Sequence, residues 1–159
     1  MTDATIHAAL SSAVAEVLDC MFFVDVLGET AEPPPQAGTV TVQVSFDGDP
    51  SGHFQMRILR PAANAVAADF LGEDLASLTD RQSTDVTLEL ANMICGAALS
   101  RIESRAAFRL GSPEVVADDA VQRNSGEETR CTVETGSGAL TVALQIDRRT
   151  CLQTEESAS

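Results

Sequence analysis

A narrow stripe of polar residues runs along one face of a predicted helix between residues 85 and 102. At about 100° per residue its members share a small arc, and they are Asp85, Glu89, Asn92, Gly96 and Ser100. Apolar residues cover most of the remaining circumference, which predicts that the rest of this helix is buried. A carboxamide accepts and donates hydrogen bonds but takes up no proton at neutral pH. We therefore expect this polar stripe to be a working surface that binds and positions another group.

The composition narrows the chemistry that the chain can perform. It has 159 residues, enough for one domain with a core, and a formal net charge of −14. All 10 of its Lys and Arg residues are arginines, so Schiff-base chemistry and P-loop phosphate binding are excluded. The acidic balance argues against binding to nucleic acid or to an anionic membrane through bulk electrostatics.

The cysteines and histidines are too dispersed in the sequence to suggest a metal site. They form no C-x-x-C pair and no mixed cluster, and they are Cys20, Cys95, Cys131, Cys151, His7 and His53. We predict no zinc site and no other metal site from this spacing. Cys95 lies on the apolar side of its helix, which favours a plain buried thiol, and His53 is expected in an exposed loop.

Hydrophobic periodicity predicts three helices. The first covers residues 3–23 and the second begins at Pro61 and ends at Gly72. The third carries the polar stripe, begins at a cap formed by Thr79 or Ser83, and continues to about Ser104. No apolar run approaches the roughly 18 residues of a membrane span, and no secretory signal pattern opens the chain. These features predict a reduced, cytoplasmic protein that does not bind membranes.

Alternation of apolar and polar residues predicts two β-hairpins. Their strands cover residues 39–46 and 54–59, and then residues 131–134 and 139–146. Residues 28–38 contain three consecutive prolines and predict an extended connector, and residues 108–116 predict a further extended piece.

The order of these elements predicts an α+β fold. We expect an antiparallel sheet with an N-terminal helix and two central helices packed on one face. Residues 1–152 are predicted to form a single domain, and residues 153–159 a disordered acidic tail. No nucleotide-binding glycine motif and no nucleophile elbow is present.

The stripe also carries a family signature. The pattern D-x-x-x-E-x-x-N stands here as Asp85, Glu89 and Asn92, and the extension E-L-x-N-M-I-x-G continues through Met93 and Gly96. The chain thereby resembles the CheC/CheX chemotaxis phosphatases and is more similar to the CheX branch. The resemblance covers roughly residues 5–147, so the predicted domain is CheX-like.

The resemblance implies hydrolysis of the phospho-aspartate of a response-regulator receiver domain of the CheY type. It implies that Asn92 positions the attacking water and that Glu89 pairs with the regulator's active-site lysine. These two residues are the expected catalytic pair. Asp85, Met93 and Gly96 are expected to bind the partner. Asp85 would either extend the Glu89 contact or bind at the rim. Met93 would provide an adaptable apolar contact, and Gly96 would allow close approach to the helix backbone.

The resemblance further implies that the protein needs no cofactor of its own, because magnesium is expected in the partner's receiver site. The single E-x-x-N copy implies a homodimer formed through the sheets, with one site per subunit. One departure from the family is Ala97, where a polar residue often follows the motif glycine.

Two alternatives to a phosphatase stay open: a non-catalytic receiver-binding or adaptor module in two-component signalling, and a structural dimer related to the flagellar switch.

Overall fold

The computed structural model of the chain describes residues 2–34, 36–48, 51–102, 108–117 and 127–147. These residues form helices and strands together with a 3₁₀ turn between the second and third helices. The helices are α1 (Asp3–Met21), α2 (Arg60–Leu71) and α3 (Asp80–Ile102). The strands are β1 (Val26–Glu29), β2 (Thr39–Asp47), β3 (Gly52–Leu59), β4 (Arg109–Leu110), β5 (Glu114–Val116), β6 (Glu127–Thr135) and β7 (Gly138–Ile146).

The strands form one antiparallel sheet. Its order is β1-β6-β7-β3-β2, and the short strands β4 and β5 both pair with the outer edge of β2. Val42 lies opposite Met56, and Val142 lies opposite both Met56 and Cys131. All four of these side chains are buried. Because side chains alternate between the two faces of a strand, this register gathers the apolar residues on one face.

The three helices cover that apolar face, which confirms the predicted α+β architecture. Helix α1 packs against β6 and α3, α3 packs against β2 and β3, and α2 packs against α3 and β3. Helix α2 begins with Pro61 in its first turn and ends at Gly72, whose φ of 67° is left-handed and suits glycine.

Helix α3 begins with a capping box. The Thr79 hydroxyl accepts a hydrogen bond from the Gln82 backbone N–H at 3.1 Å, and the Gln82 side-chain oxygen accepts from the Thr79 backbone N–H at 2.9 Å. These reciprocal bonds satisfy two amide groups at the start of the helix. Thr79 is therefore the cap, whereas Ser83, the alternative, lies buried inside the helix. The predicted end at Ser104 lies outside the described residues.

The second face of the sheet is polar and is crossed by the proline-rich connector. Strands β1 and β2 are separated in the sheet by β6, β7 and β3, so the chain between them must pass over those strands. On the way, the Glu32 carboxylate accepts hydrogen bonds from Arg130 Nη1 at 2.7 Å and 2.9 Å and from Arg57 Nη1 at 3.5 Å. This contact attaches the connector to the second face.

Several elements differ from the sequence-based predictions. Strand β1 was not expected, and β6 is longer than the predicted residues 131–134. The expectation that His53 lies in an exposed loop is wrong: it is half-buried on β3, with Nδ1 3.2 Å from Ser45 Oγ. The strand pairing of β2 and β3 extends to Gly52 and so draws His53 into the sheet.

The predicted acidic tail, residues 153–159, lies outside the described residues. Among the helices that are described, none is both long enough and apolar enough to span a membrane.

Candidate functional site

Helix α3 buries most of its circumference and leaves the polar stripe outward. Its buried residues are Ser83, Val86, Thr87, Leu90, Ala91, Ile94, Cys95, Ala98 and Leu99. On the other side, Asp85, Glu89 and Ser100 are exposed, and Asn92 and Gly96 are half-buried. All five members of the polar stripe therefore lie on one accessible face, as their spacing predicted.

Buried polar contacts fix the rotation of α3 about its own axis. The Ser83 hydroxyl donates a hydrogen bond to Asn64 Oδ1 on α2 at 2.5 Å. The buried Thr87 hydroxyl donates to the Ser83 carbonyl at 2.7 Å. Breaking a buried hydrogen bond leaves an unsatisfied polar group at a cost of about 1–3 kcal/mol. These contacts therefore oppose any rotation that would turn the polar stripe toward the core.

A second contact holds the C-terminal half of α3 against α1. Arg101 forms an ion pair with Glu16 of α1, and its Nη1 also donates to the Ala97 carbonyl at 3.1 Å. Both ends of the segment that carries the polar stripe are thus tied to a neighbouring helix, so the stripe is a rigid surface.

The Asn92 amide and the Glu89 carboxylate are both open to solvent on the polar stripe. No residue in the described part of the chain forms a hydrogen bond with the Asn92 side chain or an ion pair with Glu89. Asn92 is half-buried, so its side chain is partly held by its surroundings while remaining open to solvent. One turn separates the two residues, which places a hydrogen-bonding amide beside a negative charge.

Asp85 carries the N-terminal end of the polar stripe, and Arg81 lies beside it. The distance from Arg81 Nε to Asp85 Oδ2 is 4.0 Å, and the two side chains are 92% and 66% exposed. An exposed pair of this kind contributes only about 0.3–0.5 kcal/mol, so Asp85 can exchange this contact for another. Our sequence reasoning missed Arg81 as a neighbour of the site, although its position four residues before Asp85 was a signal for it.

Met93 and Gly96 differ in what the fold requires of them. Met93 is half-buried and packs against the hydrophobic core, so only part of it is free to contact a partner. At Gly96, a Cβ atom would meet no other atom within 4 Å. The absence of a side chain at Gly96 is therefore not demanded by packing within this chain, and it leaves the helix backbone open to close approach.

Cys95 lies on the buried side of α3, away from the polar stripe. It is fully buried, and burial raises the pKa of its thiol to about 12. A thiol in that state is a poor nucleophile at neutral pH, and this confirms the interpretation of Cys95 as a plain buried thiol.

The segment that carries this site matches the model of a known protein family. The family model "Chemotaxis phosphatase CheX" matches residues 40–136, more than half of the chain, and this range includes all of α3. The chain belongs to the CheX family. A search among curated proteins finds no match to it.

Solved structures share the fold of this CheX-family chain. A chemotaxis protein CheX from Desulfovibrio desulfuricans is 21% identical, with a TM-score of 0.71, and 89% of this chain and 99% of that chain are covered. A CheC-like superfamily protein from Shewanella sp. PV-4 is 17% identical, with a TM-score of 0.74 and coverage of 92% and 99%. The third is the CheX–CheY–BeF3–Mg²⁺ complex from Borrelia burgdorferi, at 16% identity, a TM-score of 0.70 and coverage of 87% and 96%.

The space around Gly96 leads to a prediction about stability. The variant Gly96→Ala should fold and should unfold with a free energy raised by about 0.5–1 kcal/mol, because alanine favours a helix over glycine and its methyl group meets nothing. Chemical denaturation measures this change. The reverse substitution at the adjacent half-buried position, Ala97→Gly, is the matched control and should lower the free energy of unfolding. A destabilised Gly96→Ala protein would show that the backbone at this position needs glycine.

Proposed function

We propose that this protein hydrolyses the phospho-aspartate of a CheY-like response-regulator receiver domain in the cytoplasm. One observation carries the proposal: the Asn92 amide and the exposed Glu89 carboxylate lie one turn apart on the same face of α3. The Asn92 side chain forms no hydrogen bond to any of the described residues. Membership of the CheX family supports the reaction class, and the relative solved with CheY, BeF3 and Mg²⁺ supports a receiver domain as the partner.

The reaction requires a well-positioned water molecule rather than a strong acid or base. An acyl phosphate is already reactive, so hydrolysis requires a water molecule held in line with the phosphorus–oxygen bond that breaks. The water oxygen bonds to phosphorus, the aspartate carboxylate leaves with the bonding electron pair, and inorganic phosphate carries away the oxygen of the water. The proton that the water loses passes to phosphate or solvent.

In this proposal Asn92 orients the attacking water. Its amide oxygen accepts a hydrogen bond from the water, and its amide nitrogen can donate to a phosphoryl oxygen. A side chain that is half-buried on a fixed helix loses less conformational freedom on docking than a fully exposed one. Asn92 therefore acts as a positioning amide that contacts the reacting water, without serving as a general base.

Glu89 sets the docking register by pairing with the partner's active-site lysine. This chain carries a net charge of −14, and the phosphorylated site that it approaches is itself anionic. A charge-assisted hydrogen bond from lysine to Glu89 offsets part of this repulsion. Asp85 extends the contact at the rim, Met93 adds an apolar contact, and Gly96 allows the partner close to the helix. Magnesium is supplied by the receiver's own site.

We also propose that the active form is a homodimer with one polar stripe in each subunit. This proposal rests on the family resemblance. The second face of the sheet carries polar pairs such as Thr132 with Thr141, whose hydroxyl oxygens lie 2.9 Å apart, but these two residues are buried within the chain and the connector at Glu32 covers part of that face. A dimer contact through the sheet would therefore have to include the connector or use the sheet's edge.

Replacement of Asn92 tests the catalytic role. Asn92→Ala should reduce kcat for receiver dephosphorylation by about a hundredfold or more, because the water loses its orienting contact, while KM changes little. The assay follows the decay of several phosphorylated receiver domains with catalytic amounts of this protein. Ser100→Ala, on the same stripe, is the matched control and should retain activity. If Asn92→Ala stays fully active, the proposed mechanism is wrong.

Binding without hydrolysis separates the phosphatase from the adaptor alternative. A receiver domain loaded with BeF3, which stands in for the phosphoryl group, measures docking alone. A wild-type protein that binds this receiver but leaves the phospho-receiver lifetime unchanged would select the non-catalytic module.

Replacement of Glu89 tests the docking contact. Glu89→Ala should weaken binding of the BeF3-loaded receiver by about 10- to 100-fold, the range expected for loss of a hydrogen bond to a charged group, and should lower turnover as well. Added salt should weaken the wild-type complex more than the Glu89→Ala complex, because one ion pair is missing from the variant. Asp85→Asn is the comparison at the rim and should have a smaller effect. Equal affinities of wild type and Glu89→Ala would remove Glu89 from the interface.

The Gly96→Ala variant also serves as a steric probe of the interface. Its added methyl group lies in open space in the isolated chain, so it should spare folding and yet reduce kcat/KM by roughly tenfold or more by holding the partner off the helix. The decay assay measures this loss, with Ala97→Gly beside it. Unchanged kcat/KM would mean that the partner does not pass over Gly96.

A further inference from the structure

Three potential metal ligands from distant parts of the sequence meet at the β1 edge of the sheet. His7 lies on α1, Glu29 is the last residue of β1, and Cys131 lies on β6. One ligand atom from each lies within 4.8 Å of the other two. Among the residues that the structure describes, no other trio of His, Cys, Asp or Glu is gathered so closely.

We propose that His7, Glu29 and Cys131 form a zinc site that clips the edge strand β1 and helix α1 to β6. A Zn²⁺ ion takes nitrogen, oxygen and sulfur ligands of these three types in tetrahedral sites, and with three protein ligands a water molecule takes the fourth position. A site of this kind was not expected from the spacing of the cysteines and histidines in the sequence.

The separations between ligand atoms fit a tetrahedral zinc ion. With Zn–N and Zn–O bonds of about 2.0–2.1 Å and a Zn–S bond of about 2.3 Å, tetrahedral geometry places N and O about 3.3 Å apart and S and O about 3.5 Å apart. The His7 Nε2 to Glu29 Oε1 distance is 3.4 Å, and the Cys131 Sγ to Glu29 Oε1 distance is 3.8 Å. The third separation, between the His7 ring nitrogen and Cys131 Sγ, lies within 4.8 Å, so these two side chains would have to move closer together to bring all three atoms around one ion.

The three ligands are placed by the fold and not by one flexible loop. Strand β1 pairs with β6, with Glu29 opposite Val133, so Glu29 reaches the neighbourhood of Cys131. Helix α1 is attached to β6, because the Thr129 hydroxyl on β6 donates a hydrogen bond to Asp3 Oδ1 at 2.7 Å. His7 follows Asp3 one turn later, and this brings its ring to Glu29.

A buried thiol and a carboxylate face each other at this point. Cys131 is only 3% exposed, and its Sγ lies 3.8 Å from Glu29 Oε1. A divalent cation between the two groups would displace the thiol proton on binding and offset the repulsion between the resulting thiolate and the carboxylate. The side chains of His7 and Glu29 are 39% and 50% exposed, so an ion can enter from solvent.

A clip at this place would act on a weakly held strand. Strand β1 has four residues, three of them exposed, and its register with β6 shifts between Val26 and Gly28. Little apolar burial therefore holds it in the sheet, and the partly exposed contact between His7 and Glu29 adds at most about 1 kcal/mol. A shared metal ion would join β1, β6 and α1 directly.

The test uses the full-length, reduced protein after removal of metal by a chelator. We expect one equivalent of Zn²⁺ to bind with a Kd of about 1 μM or tighter, and Co²⁺ in its place to show thiolate-to-metal charge-transfer absorption. At free Zn²⁺ of about 100 times Kd, Tm should rise by roughly 5–10 °C. Backbone amides of β1 should gain protection from hydrogen exchange.

Variants of the three ligands and of other cysteines locate the ion. Cys131→Ser should abolish the charge-transfer band, and His7→Gln or Glu29→Gln should weaken Zn²⁺ binding by about a hundredfold. His7 is half-buried and Glu29 is exposed, and neither belongs to the hydrophobic core, so these two variants should fold. Cys20→Ser and Cys151→Ser are the matched controls and should bind as wild type does. Absence of binding, or binding that survives the ligand variants, would overturn the proposal, and neither result bears on dephosphorylation by the polar stripe.

Discussion

The outward position of the polar stripe depends on one constraint, the rotation of α3 about its own axis. The helix buries residues on nearly all sides, so a turn by one residue position, about 100°, would drive Glu89 or Asp85 toward the core. Burial of an unpaired carboxylate costs several kcal/mol even after relaxation, and the apolar residues displaced from the core would lose about 1.5–3 kcal/mol each. The buried Ser83–Asn64 hydrogen bond adds a directional contact to this partition. The polar stripe is outward because every other arrangement of this helix is worse.

Local sequence signals predicted most of what this constraint needs. The cap of α3, for which Thr79 was one of two candidates, the proline and glycine at the two ends of α2, and the alternation in β2, β3 and β7 each act over a few residues. Helix α3 was predicted because its apolar period extends over several turns and leaves one arc polar. The candidate site could be found from sequence for the same reason: all of its residues lie on one helix, where spacing alone places them on one face.

Contacts between distant segments were not predictable in this way. Strand β1 has no alternating apolar pattern, since three of its four residues are exposed, and it forms because β6 offers it a pairing edge. The meeting of Glu29 with Cys131 and His7 follows from that edge pairing. The Glu32 contact with Arg57 and Arg130 likewise depends on where the connector crosses the sheet. In each case the order of the strands in the sheet decides which side chains meet. No short stretch of sequence determines that order.

The proposed chemistry and the observed architecture ask for the same property, which is rigidity. A carboxamide cannot compensate for poor placement by moving a proton, so its contribution depends on geometry, and a displacement of 1 Å can cost about a hundredfold in rate. A loop would hold Asn92 less well than a helix that is tied to α2 through Asn64 and to α1 through Glu16. The buried polar contacts on the inner side of α3 therefore help to hold Asn92 in place on the outer side. A substitution at Ser83 that leaves every residue of the polar stripe in place could still lower turnover by letting the helix rotate.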